Sequence, residues 1–118
     1  PARVHAIDTF VSSAAPIDRQ NFAYAPLGSG PVARGVDSSS VTPRAVLDAF
    51  LELAEGHALP LQVGATNGGT DGTPFRDWGV PHMPFGWPLR YSHSPVELID
   101  LEDVVVLVDL IKLVAEEW

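Results

Sequence analysis

The chain has no cysteine among its 118 residues. Disulfides, thiol nucleophiles and cysteine-based zinc sites are therefore excluded. Basic charge is scarce: 7 Lys and Arg stand against 15 Asp and Glu, for a net charge of -8. Nucleic acids and anionic membrane surfaces both call for clustered cations, so both partners are disfavoured. No apolar run reaches the length that spans a bilayer. No basic start followed by an apolar stretch marks a signal peptide in "PARVHAID", and the chain opens on Pro1 without a methionine. There is no H-E-x-x-H, no Walker or G-x-G-x-x-G pattern and no serine nucleophile elbow. What remains has one domain's length and is 46% hydrophobic, enough for a real core.

Strand-like and helix-like patterns alternate along the chain. "VHAIDTFV" (4–11) is β-branched and aromatic and reads as a strand. "SSAAPIDRQN" breaks it with a loop. A short strand is expected at Val32 to Val36. Thr42-Pro43 opens an amphipathic helix, with Thr42 as cap and Pro43 in the first helical position. Its apolar face is Val46, Leu47, Phe50, Leu53 and Ala54, and Gly56 suits its end. "LPLQVGAT" (59–66) is a second strand. It feeds the turn "NGGTDG" and a short helix at "PFRDW", stopped by Gly79. "VPHMPFGW" is extended, and its prolines 81 and 84 predict an edge or irregular strand. Asp100 can cap a final helix, "LEDVVVLVDLIKLVAEEW". Its polar residues form one narrow stripe, Glu102, Asp109, Lys112 and Glu116, so it is expected to be covered on most sides. The class is α/β with a mixed or mainly parallel sheet.

Candidate chemistry is sparse. Of the four histidines, His57 suits a helix C-terminus, His5 shares a strand face with Ile7, and His82 lies between prolines. His93 sits in the serine-proline loop "RYSHSP", directly before the final helix, where a ligand could be held rigidly. Asp8 lies inside an apolar strand and needs a metal, an arginine or several N–H donors. Asp8 and His93 are only two donors, whereas a catalytic zinc usually takes three protein ligands plus water. Gly68 and Gly69 in "NGGTDG" allow close backbone approach. Thr70 and Asp71 then offer polar groups, which suits either substrate binding or a tight strand-to-helix turn.

The order of motifs is more specific than any one of them. "HAID", "LGSGP", "VDSSSVTP", an amphipathic helix, "LPLQ", "GGTDG", "GVP" and "RYSHSPVELIDLEDV" follow one another across essentially the whole chain. This resembles the C-terminal part of the M42 metallo-aminopeptidases, the glutamyl and tetrahedral aminopeptidase group. The resemblance implies a three-layer α/β fold, a mixed sheet flanked by helices, with residues 1–118 forming the C-terminal segment of a zinc-peptidase catalytic domain. It implies two divalent ions, zinc or cobalt, with Asp8 a ligand of one and His93 a ligand of the other. It places Gly69, Thr70 and Asp71 beside the peptide substrate, and Arg90 and Tyr91 in support of the histidine loop. It further implies a cytoplasmic homo-oligomer.

Three departures accompany the resemblance. The family's first histidine, bridging aspartate and Glu-Glu pair belong before Asp8 and have no counterpart here. "SSAAP" stands where the family often has an acidic residue before proline-glycine. Gly72 stands where alanine is commoner. The catalytic glutamate is thus expected from the remainder of the same polypeptide or a companion chain, and this chain alone is expected to be inactive. A truncated, non-catalytic binding module and a related metal-dependent amidohydrolase are the alternatives.

Overall fold

The computed structural model describes residues 1–12 and 24–118. The expected loop "SSAAPIDRQN" lies outside the described residues except for Ser12. The element order is β1 (Phe10–Val11), β2 (Val32–Val36), α1 (Arg44–Gly56), β3 (Gln62–Ala65), α2 (Thr73–Arg76), β4 (Phe85–Gly86), β5 (Pro88–Arg90), β6 (Leu98–Ile99) and α3 (Leu101–Glu117). One sheet has the order β1-β5-β6 and the other β3-β2-β4, so the fold is α/β with mixed sheets. No helix of the described residues is long and apolar enough to cross a membrane.

The first strand is longer than its regular part. Val4 pairs with His82, Ile7 with Phe85, Phe10 with Pro88 and Val11 with Leu89, all in parallel and in one register. The backbone bonds run Val4 N to Pro81 O, Met83 N to Val4 O, Phe85 N to Ala6 O and Asp8 N to Phe85 O. Phe10 N to Trp87 O and Ser12 N to Leu89 O complete the ladder. Residues 4–12 thus form the continuous strand that their β-branched and aromatic composition predicts.

The run through Pro81 and Pro84 is central, which corrects the expectation of an edge strand. It lies between residues 4–12 and β2, and Met83, Pro84, Phe85 and Pro88 are fully buried or nearly so. The prolines fit because of parity. Odd residues of the run bond to residues 4–12, while Pro84 and Pro88 turn their nitrogens the other way. Opposite Pro84, the Arg34 amide donates to its carbonyl at 2.9 Å. The Arg34 carbonyl, which a proline cannot serve, accepts instead from the Thr42 hydroxyl at 2.7 Å. Thr42 therefore completes the sheet and does not cap α1. Pro43 is the capping residue, and the helix begins at Arg44.

Helix α1 buries Phe50 and Ala54 and half-buries Val46, Leu47 and Leu53, the predicted face. Its end is set by Ala58 and not by Gly56. Leu59 N donates to Ala54 O at 2.9 Å and Ala58 N to Glu55 O at 3.0 Å, with Ala58 at φ 55°. That is a Schellman ending with alanine in the left-handed position. In α3, the Asp100 carboxylate accepts from Glu102 N at 2.9 Å, the expected cap. Leu107, Leu110 and Leu113 are buried, whereas Leu101, Val105, Val108 and Ile111 are exposed. The expectation of near-complete cover is thus corrected: α3 has one buried face, and an apolar face opposite it remains open.

The main core joins Ala33, Phe50, Ala54, Met83, Phe85, Leu107 and Leu110, while Phe10, Ala25 and Val32 form a second cluster. Val32 and Ala33 are neighbours in β2 and point to opposite faces, so both faces of the sheet are packed. An unexpected polar anchor joins α3 to the "LGSGP" loop. Asp103 is 1% exposed and accepts from Gly28 N at 2.8 Å and Gly30 N at 2.7 Å. A β-carbon at Gly30 would lie 2.5 Å from the Pro60 carbonyl oxygen, and its φ of 93° also demands glycine.

Two stability outcomes follow from these contacts. Asp103→Ala strands two amides that lose a charged acceptor, and should lower unfolding free energy by about 3 kcal/mol. Ala58→Gly relieves the left-handed alanine and should raise it by roughly 1 kcal/mol. Urea denaturation of each variant measures both signs.

Candidate functional site

Strand parity divides the groups of the first strand between two surroundings. His5 turns into the main core, where its ring stacks on Phe50 at 6.3 Å and lies 5.2 Å from Trp118. Its Nδ1 is 3.0 Å from the Met83 carbonyl. Asp8 has the opposite parity. It meets a cavity of ≈ 250 Å³ lined by Asp8, Thr9, Val11, Arg34, Asn67 to Gly69, Ser92, His93 and Glu97. Three larger depressions of ≈ 430 to 480 Å³ lie elsewhere, and each has a histidine or a carboxylate in its lining but not both.

The structure brings Asp8, Gly69 and His93 to this one cavity. Thr70 is buried behind it, with its hydroxyl 3.3 Å from His82 Nε2. Asp71 is exposed, and neither Thr70 nor Asp71 is in the lining. Arg90 belongs to β5, paired with Leu98, and Tyr91 is exposed. His57 ends α1 with Nδ1 at 3.0 Å from the Leu53 carbonyl and Nε2 at 3.3 Å from Glu117.

Asp8 is held from two sides. Its Oδ1 accepts from Thr9 N at 2.7 Å, and Oδ2 lies 3.5 Å from Arg34 Nη2. The side chain remains 43% exposed, toward the cavity. Of the partners open to Asp8 in the sequence, arginine and an N–H donor are thus both in place. His93 is held through its backbone. Tyr91 and His93 both have left-handed backbones, with φ of 65° and 59°. Such conformations are strained for side chains of this size and persist only where the surroundings enforce them. Here Glu97 accepts from His93 N at 2.8 Å, Ser94 N donates to Tyr91 O at 3.2 Å, and the Ser94 hydroxyl donates to Val96 O at 2.6 Å.

Arg34 and Glu97 are the charged lining residues that the sequence did not single out. An arginine inside "VARGV" was the available signal, since a cation in an apolar strand needs a buried partner. Behind the cavity, a β-carbon on Gly72 would overlap the His82 ring. The glycine of "GGTDG" is thereby required by its neighbour.

An aspartate and a histidine are suitable oxygen and nitrogen donors for a divalent cation. Among the described residues no group of three or more His, Cys, Asp or Glu side chains is placed to hold a metal ion. Asp8 and His93 bring two such donors to the cavity, fewer than the three that a catalytic zinc usually takes.

A family model for M42 glutamyl aminopeptidase matches residues 1–110. The chain is similar to the Pyrococcus horikoshii TET1 peptidase, described as assembling into a tetrahedron or a large octahedral shell, with 34% identity and a TM-score of 0.89. That match covers 100% of this chain and 34% of the other. It is also similar to an aminopeptidase from the archaeon Desulfurococcus kamchatkensis, with 29% identity and a TM-score of 0.90, covering 100% of this chain and 35% of that one. The chain thus spans about a third of the length of these solved structures.

His82 makes stability depend on pH. Burial lowers its pKa below the ordinary 6.5, the Asp37 charge opposes this, and His5, Arg34 and Arg76 reinforce it. The folded chain therefore favours the neutral ring, and unfolding takes up a proton below pH 6.5. This contribution is complete above 6.5 and declines as pH falls toward the lowered value. His5, lowered chiefly by burial, acts in the same direction. Denaturation midpoints should rise from about pH 5 to about 6.5 and level off above it, and His82→Gln should flatten that rise.

Proposed function

This chain belongs to the M42 glutamyl aminopeptidase family, and from that premise we propose that it forms part of a dinuclear, metal-dependent aminopeptidase. In this reading residues 1–118 are the C-terminal segment of the catalytic domain. The carrying observation is that Asp8 and His93, far apart in sequence, line the same cavity. Asp8 holds one divalent ion, zinc or cobalt, and His93 the other. When bound, such a pair supplies an activated water and polarises the scissile carbonyl.

The chain's own residues do the positioning. Thr9 N and Arg34 orient the Asp8 carboxylate. Glu97 fixes the backbone that carries His93. Gly69 forms the wall beside the substrate. Thr70, set against His82, and the exposed Asp71 follow it in the adjoining turn, on the substrate side in this reading. The glutamate that acts as general base, and the remaining ligands, come from the remainder of the polypeptide or a companion chain. The assembled enzyme acts on the N-terminal residues of peptides. It is cytoplasmic and a homo-oligomer, the latter reading supported by the assembly described for the Pyrococcus horikoshii relative.

The test uses the native protein with any polypeptide that accompanies it. Asp8→Asn and His93→Ala should each reduce bound metal and lower kcat/KM on an aminoacyl anilide by at least about 100-fold. Metal analysis and initial rates provide the readouts. Retention of both metal and activity in either variant would remove that residue from the site. Retention in both would remove the proposal.

A further inference from the structure

We propose that Arg34 is a positioning residue for cation capture by Asp8, and that Asp37 keeps Arg34 from neutralising Asp8 completely. The inference rests on the reading of Asp8 as a metal ligand.

Arg34 is anchored in β2, directly after the buried Val32 and Ala33, and is itself 4% exposed. A buried guanidinium is normally matched by one carboxylate in a two-pronged, hydrogen-bonded pair. Arg34 has no such pair. Nη2 donates to the Thr9 carbonyl and lies 3.5 Å from Asp8 Oδ2. Nη1 lies 3.8 Å from Asp37 Oδ2. Neither carboxylate is hydrogen-bonded to it, and among the described residues Nε, Nη1 and Asp37 Oδ2 are buried without a hydrogen-bond partner. One cation is stretched between two anions.

Asp37 cannot move closer, because its other oxygen is fully engaged. Oδ1 accepts from Ser39 N, Ser39 Oγ and Ser40 N, each at 2.8 Å, and from Ser40 Oγ at 3.2 Å. Burial pushes the Asp37 pKa up, but these serine hydrogen bonds outweigh it and hold the pKa below its ordinary value. Asp37 therefore stays charged and keeps drawing on Arg34. The same serine backs the cavity wall, since a β-carbon on Gly69 would lie 2.9 Å from Ser39 Oγ.

The consequence falls on Asp8. A bidentate arginine would engage both carboxylate oxygens and offset most of the charge that draws a cation, beside the Thr9 amide already on Oδ1. The divided arginine orients Asp8 while leaving its outer side free. Arg34→Lys removes the planar fork, and Asp37→Asn releases Arg34 toward Asp8. Groups that orient a metal ligand typically change metal affinity by about 10- to 100-fold when altered.

The experiment is a cobalt(II) titration of the native protein, followed by visible absorption, with circular dichroism and melting temperature in parallel. Arg34→Lys and Asp37→Asn should each weaken cobalt binding at least about 10-fold in folded protein. A merely structural ion pair would lower the melting temperature and leave the dissociation constant unchanged. Wild-type affinity in either folded variant overturns the proposal, so one folded variant suffices. Asp8→Asn separates the two levels of inference. If it too binds cobalt normally, the metal assignment fails. If it loses cobalt while the other variants do not, only the role of Arg34 fails.

Discussion

The backbone ladder between residues 4–12 and the run from Pro81 to Leu89 has one register, carried by six hydrogen bonds. Side chains alternate along a strand, so a slip of one residue would exchange its two faces. His5 would then leave its place against Phe50 and Trp118, and Asp8 would turn away from Arg34. The register is guarded at Gly86, where any β-carbon would overlap the Asp8 carbonyl oxygen. The central run also continues through β5 to the loop that carries His93. One pairing thereby sets the facing of the carboxylate and the origin of the imidazole loop.

A second constraint comes from buried polar groups. Arg34, Asp37, Thr70, His82 and Asp103 are all buried. In a low-dielectric interior such groups are costly unless they are partnered, and partnered groups hold their neighbours in one arrangement. Asp103 closes the "LGSGP" loop through two amides, and Asp37 closes the serine loop through four donors. The hydrophobic core supplies the bulk of the cohesion. The polar groups decide which loop conformation accompanies it, and the cavity is made of those loops.

Much of this was legible in the sequence where one local signal dominated. Val32 to Val36, the apolar face of α1, the stop at Gly79 and the Asp100 cap all follow from periodicity or capping chemistry. The central place of the Pro81–Leu89 run was not legible. It depends on which neighbour each proline nitrogen faces, and on Thr42 serving a distant carbonyl. The open apolar face of α3 was equally hidden, because composition counts apolar residues without saying what covers them. At the site, Asp8 stood out as a charge in an apolar strand, and His93 through the motif around it. The left-handed backbone of Tyr91 had no such signal, since a bulky aromatic disfavours that conformation, and the bonds that hold the turn, from Ser94 to Tyr91 and from His93 to Glu97, appear only once the loop is folded.

The cavity holds two carboxylates, Asp8 and Glu97, and their surroundings give them different work. Glu97 has its Oε1 on the His93 amide, where it holds a strained turn in place. Asp8 is oriented by a backbone amide and by an arginine that is shared with Asp37. Its remaining capacity faces the cavity. The two acids therefore differ by their partners: Glu97 fixes the turn that presents the imidazole, and Asp8 turns its second oxygen toward Arg34 and the cavity.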